Sequence, residues 1–252
     1  MNKKVWGVNM ALWIVFGLCL LVELICVPWY LKALWPEKCR KSLVLKMICS
    51  TAFVIIGVIS MFISNNFSPY SITMVIGLVL GWIGDYFLHA KPTNAYFATG
   101  FISFFLGHIA YIVAYVRATP LVYSDYKMFN AGEIIVAVIV LVAALVVSKV
   151  FKVNFSPKVV KYAIAAYFTL ITFMLIRASA LGYCYYANGG EYGVLPLVLL
   201  SVGAVCFVLS DATLGIIGFG GQKKNYPLKI FNILTYFWGQ VMLASSILFI
   251  NA

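Results

Sequence analysis

Two aspartates in this sequence stand where water is scarce. Asp85 closes an apolar run in "GWIGDYFLHA", and Asp211 closes another in "VLSDATLG". A third acid, Glu23, lies inside "CLLVELICV". Holding a charged side chain near a bilayer centre costs at least about 2.5–3.5 kcal/mol, so these acids need partners, water or a proton. Two carboxyl groups in one low-dielectric site ionise one at a time, leaving one acid protonated beside a carboxylate. Such a pair can protonate a substrate and activate water. The bland alternative is two structural acids, each bonded to a neighbouring tyrosine or tryptophan. Glu23 carries its own alternative, a packing or snorkelling residue.

The elements that must position these acids are apolar runs. Of 252 residues, 64% are hydrophobic and 10% charged, against roughly a quarter charged in an average soluble domain. The fold expected is all-α: a polytopic membrane bundle of about eight helices, forming a single transmembrane domain over 1–252. An apolar run in lipid must satisfy its own backbone hydrogen bonds, which makes helices the default. The windows fall at about 9–31, 43–64, 70–89, 96–116, 132–149, 159–181, 195–217 and 229–250. Breaks such as "SNNFSPY", "AKPTN" and "GFGGQKKNYP" carry turn residues. The first run follows two lysines as in a signal peptide. It continues to about Tyr30, includes Glu23 and offers no small-x-small cleavage site, so it reads as a retained span.

Thirteen of the eighteen Lys and Arg residues follow or flank the ends of spans 1, 3, 5 and 7, and four lie on the other side. The positive-inside rule then puts those four loops in the cytoplasm and both termini outside. The formal charge of +11 is accounted for in the same way; the basic residues lie between apolar runs, not on one face, so no nucleic-acid partner is expected. The six cysteines show no CxxC or Cys/His spacing, and neither a metal nor a cofactor is expected.

Depths can be compared by counting from the basic ends. Asp85 lies about five residues in, roughly 7 Å; Asp211 about seven, roughly 10 Å; Glu23 about eight, roughly 12 Å. Span 8 brings Tyr236 and Gln240 to similar depths, span 6 brings Tyr162 and Tyr167, and span 4 brings His108 nearer the midplane. His108 divides between a core hydrogen bond and a pocket residue, and His89 is expected at the interface. The count permits a polar pocket opening toward the inner leaflet.

At these residues the sequence becomes recognisable. "GLVLGWIGDYFL" followed by "FATGFISFFLGHIAYIVAY" resembles the paired signature of the YhhN-like lysoplasmalogenase family. "LPLVLLSVGAVCFVLSDATLGI" is similar to its second acidic motif and "LTYFWGQVMLASSI" to its last span. The resemblance covers roughly residues 40 to 250 and implies an integral membrane hydrolase. Its substrate would be a lysophospholipid, a lysoplasmalogen whose vinyl-ether bond is cleaved to a fatty aldehyde and glycerophospho-ethanolamine or -choline. By motif it carries over Gly84, Asp85, His108, Ser210, Asp211, Tyr236 and Gln240. "YFLHA" after the Gly-Asp and "GIIGFGG" after the Ser-Asp depart from the pattern.

The chemistry agrees with these residue types. A vinyl ether hydrolyses by proton transfer to its outer alkene carbon, giving an oxocarbenium ion. Water then adds to the carbon beside oxygen, and the hemiacetal collapses. That calls for a neutral acid and a nearby carboxylate, roles expected of Asp85 and Asp211, with Tyr236, Gln240 and His108 orienting water and ether oxygen. Ser210, Gly84, Tyr167 and Glu23 complete the expected substrate site. Lys223 and Lys224 are either phosphate contacts or ordinary inside-positive charges. Two other classes remain in view. A zinc amidase draws three histidines around its metal, and this chain has two. A proton-coupled transporter would use the buried acids as proton sites, although no inverted repeat is visible. Size and compactness suggest a bacterial inner membrane, with membrane lipids the remaining partners.

Overall fold

A computed structural model describes the backbone of residues 3–250 and the side chains from Met10 onward. Among the described residues there are eight long helices: α1 (Lys3–Leu34), α2 (Arg40–Ile63), α3 (Pro69–Ala90), α4 (Asn94–Val122), α5 (Ala131–Val150), α6 (Lys158–Ala187), α7 (Leu195–Phe219) and α8 (Tyr226–Ser245). All eight are long and apolar enough to cross a membrane, and the protein is an integral multi-pass membrane protein.

The breaks between apolar runs supply the caps. Ser68, Thr93, Asn130 and Asn225 each accept a backbone N–H of the first turn of α3, α4, α5 and α8. A polar side chain there satisfies a donor that the helix itself cannot. Two helices outrun their apolar windows. Helix α4 passes through Pro120 to Val122, and α6 runs on to Ala187. The amphipathic ends of these spans continue the hydrogen-bond ladder past the point where hydropathy fades. In α8 the regular helix stops at Ser245 and a 3-10 turn, Ser246–Leu248, finishes the chain's packing.

Neighbouring helices form a closed ring in the order α2, α3, α4, α6, α7, α8 and back to α2, with α8 also touching α3. Helix α1 lies outside the ring against α2 and α8, and α5 packs on α6 alone. The ring is drawn tight by small residues, as expected where lipid is as apolar as leucine. A Cβ on Gly107 of α4 would lie 3.2 Å from the Gly77 carbonyl oxygen of α3; one on Gly239 of α8 would lie 3.0 Å from the Gly203 oxygen of α7. Ser103 adds a hydrogen bond of 2.6 Å from its hydroxyl to the Leu80 carbonyl, tying α4 to α3.

On the side opposite the basic loops, Arg177 of α6 is fully buried and ion-paired with Glu133, the one buried residue of α5. Glu133 also accepts from the Tyr126 hydroxyl and, at 2.6 Å, from the Phe129 N–H. The guanidinium lies 5.4 Å from the Phe173 ring centroid and 6.0 Å from that of Phe129. Arg177 lies inside the sixth apolar window, and the structure gives it the acid in the first turn of α5. This pair fastens the otherwise peripheral α5. Arg177→Met is expected to lower stability by about 3–5 kcal/mol, because it strands a buried carboxylate, whereas Arg177→Met with Glu133→Gln costs less. Unfolding of the purified protein in mixed micelles measures both.

Candidate active site

The acids of α3 and α7 are held on the basic side of the ring, each by its own set of partners. On α2, Ser42, Lys46 and Ser50 recur every four residues and share one face. Asp85 and His89 do the same on α3, and Tyr236 and Gln240 on α8. Where these three stripes meet, Asp85 is 1% exposed. Its Oδ1 pairs with Lys46 Nζ at 2.8 Å. Its Oδ2 accepts from the Ser50 hydroxyl at 2.5 Å and from the Tyr236 hydroxyl at 2.7 Å. A cation and two hydroxyl donors occupy both oxygens of this carboxyl group.

Behind it the network continues inward. Gln240 reaches Tyr236 with a 3.4 Å contact from Nε2 to the phenol, and its Oε1 accepts from the Tyr111 hydroxyl at 2.8 Å. Toward the basic face, His89 meets Ser42 Oγ at 2.8 Å and the Tyr30 hydroxyl at 3.4 Å. His89, expected at the interface, is thus buried between α1, α2 and α3. Glu23 of α1 is 1% exposed and lies near Cys49 and Asp85.

The second set centres on Asp211. Its Oδ2 accepts from the Tyr167 hydroxyl at 2.6 Å. His108 Nε2 lies 3.0 Å from that phenol oxygen and 3.5 Å from Asp211 Oδ2. Three residues from α4, α6 and α7 so form a short chain along which a proton can pass. Asp211 is only partly buried, and its partners are neutral or titratable groups rather than a lysine.

Asp85 and Asp211 share no hydrogen-bond partner. Between their sets stand two phenylalanine rings. Phe207, one turn before Asp211, has its centroid 4.7 Å from that of His108 and 5.6 Å from that of Tyr236. Phe104, one turn before His108, is 5.9 Å from Tyr236. Gly84 makes room for that ring, since a Cβ there would meet Phe104 at 2.7 Å. These two rings form an aromatic wall between Tyr236 of the Asp85 set and His108 of the Asp211 set.

Of the residues singled out from sequence, Asp85, Tyr236, Gln240 and Glu23 fall on one side of this wall; Asp211, His108 and Tyr167 fall on the other. Ser210 is committed elsewhere: its Oγ accepts from Asn232 Nδ2 at 3.0 Å, and its carbonyl from the same amide at 2.7 Å, tying α7 to α8. Lys223 and Lys224 are exposed in the α7–α8 loop. Tyr162 is exposed as well.

The sequence reading missed Lys46, Ser50 and Tyr111. Lys46 counted there as a flanking positive charge, because the apolar window opens at 43. The helix opens at Arg40, which places Lys46 well inside it. Its four-residue spacing to Ser50 was the available signal. Among the described residues no group of three or more His, Cys, Asp or Glu side chains forms a metal-binding set.

No curated protein and no solved structure shows significant similarity to the chain. A family model does match it, from residue 41 to residue 247, which takes in the whole ring α2 to α8 and every residue of both acid sets except those of α1. On that match, the chain belongs to the YhhN family.

Proposed function

We propose that the protein is a lysoplasmalogenase: a membrane hydrolase that cleaves the vinyl-ether bond of a lysoplasmalogen to a fatty aldehyde and a glycerophospho-ethanolamine or -choline. The observation that carries this reading is the unlike setting of two carboxyl groups on the family's motif residues. Asp85 is paired with the Lys46 ammonium and accepts from the Ser50 and Tyr236 hydroxyls. Asp211 is joined to Tyr167 and His108, groups that hold or relay a proton. Two acids whose surroundings differ in this way divide into acid and base roles.

In this reading Asp211, recharged through Tyr167 and His108, gives its proton to the outer alkene carbon. The oxocarbenium ion that results is stabilised by the Asp85 charge through the Tyr236 hydroxyl, which also orients the attacking water. Aromatic rings of Phe104, Phe207 and Tyr236 offer a dry, π-rich wall for a cationic transition state. Water adds to the carbon beside oxygen and loses its proton to the carboxylate system. Collapse of the hemiacetal releases aldehyde and alcohol, so one water is consumed and no other reactant is needed.

Purified protein supplied with lysoplasmenylethanolamine is expected to release free aldehyde. In heavy water the aldehyde carries one deuterium on the carbon next to the carbonyl, because that carbon receives the catalytic proton. Proton-coupled solute uptake into proteoliposomes without aldehyde release would replace this reading by that of a carrier.

A further inference from the structure

A second polar site lies one helical turn outward from Asp85. A cavity of about 370 Å³ opens between the α1–α2 loop and the end of α3, lined by Lys38, Cys39, Arg40, Leu43, His89 and Pro92. That volume is in the range of small-molecule sites, about 300–1,000 Å³. Its charge is one-sided. Lys38 and Arg40 line it, and neither has a salt-bridge partner among the described residues. Nearby, Lys229 at the start of α8 lies over the Trp35 ring at 5.2 Å. Desolvation, with repulsion from Lys46 and Lys229, pulls Lys38 down from the usual lysine range to about 8. Asp85, one turn further in, is already taken by Lys46. Arg40 also opens α2, so the positive end of that helix adds to the same field.

The cavity is set off from the acid site by two parallel four-residue steps. On α3, its lining residue His89 is one turn from Asp85; on α2, Ser42, bonded to His89 at 2.8 Å, is one turn from Lys46. Four residues of helix advance about 6 Å. In a lysoplasmalogen, five bonds separate the vinyl-ether oxygen from phosphorus, also about 6 Å when extended. The step between the sites thus matches the glycerol backbone of such a lipid.

We propose that this cavity is the phosphate site of the lipid head group, with Lys38 and Arg40 as its anion-binding residues. The assignment rests on the lysophospholipid reading above for its ligand and on the cavity for its place. It moves the phosphate away from Lys223 and Lys224 and sets the molecule with its head group at the basic face and its ether at Asp85.

Binding to the full-length protein in detergent tests it without relying on turnover. The probes are a saturated 1-O-alkyl-lysophosphoethanolamine, which has no vinyl bond to protonate, the phosphate-free 1-O-alkylglycerol, and inorganic phosphate. Wild type should prefer the phospholipid over the alkylglycerol by about 10- to 100-fold, as charge-assisted contacts allow. Lys38→Gln with Arg40→Gln should erase that preference, and Lys161→Ala, an exposed charge on the same face, should leave it. If the double variant keeps the preference, the phosphate binds elsewhere and the assignment fails. If inorganic phosphate alone binds as tightly as the lipid, the cavity serves the free anion and the head-group assignment fails. Should wild type show the expected binding but release no aldehyde from the vinyl-ether lipid, the proposed reaction falls and the anion site stands.

Discussion

Asp85→Asn is expected to end aldehyde release, with a loss of at least about 1,000-fold, and to destabilise the protein by about 3 kcal/mol. The stability part follows from Lys46. With an amide in place of its counter-ion, the ammonium group is left with neutral acceptors, among them the main-chain carbonyl of residue 85 at 3.4 Å. Breaking a buried pair from one side costs about 3–5 kcal/mol. The low end applies because the Lys46 side chain is 13% exposed and keeps a path to water. The activity part follows from charge. In a low-dielectric site a fixed anion is worth far more to a developing cation than it is in water, and an amide dipole does not replace it. A second variant separates these effects. Asp85→Asn with Lys46→Met removes both charges and should recover most of the stability, yet stay inactive. Thermal unfolding and the aldehyde assay read the two quantities separately. If Asp85→Asn folds and turns over at the wild-type rate, the proposed mechanism is falsified.

Asp211→Asn should behave differently, losing activity while losing little stability. Its carboxylate accepts one hydroxyl and lies 3.5 Å from an imidazole, so substitution costs roughly the net worth of one hydrogen bond, about 1 kcal/mol. A positioned general acid contributes about 100- to 10,000-fold, and a drop of that size is expected in kcat. Tyr167→Phe breaks the link between Asp211 and His108 and should cost about 10- to 100-fold, leaving KM nearly unchanged. Steady-state rates with lysoplasmenylethanolamine, compared in light and heavy water, check the role. Proton transfer to carbon gives wild type a large solvent isotope effect on kcat. If Asp211→Asn turns over at the wild-type rate with the same isotope effect, the proton comes from another group.

Glu23 is buried beside the Asp85 set and belongs to α1, outside the family match of residues 41–247. The site thus has a part built on family motifs and a part contributed by a helix that packs onto the ring from outside. Tyr30, which contacts His89, belongs to that second part as well.

Membrane crossing and helix number were determined by the sequence alone. Runs of apolar residues about 20 long can satisfy their backbone in lipid only as helices, so hydropathy located all eight. Polar residues in the breaks between them serve as caps in the structure, at Ser68, Thr93, Asn130 and Asn225. The choice of partner for each acid belonged to the tertiary structure. A helix that is apolar on every side does not announce which face it turns inward, and lipid gives no hydrophobic penalty for the wrong choice. Here the rotation is set by close approaches, Gly77 with Gly107 and Gly203 with Gly239, and by the neighbour order that places α2 and α8 beside α3. Those contacts bring Lys46 to Asp85, His108 and Tyr167 to Asp211, and Arg177 to Glu133. None of these meetings is encoded in the spacing of residues along one helix, because each is made between side chains far apart in the chain.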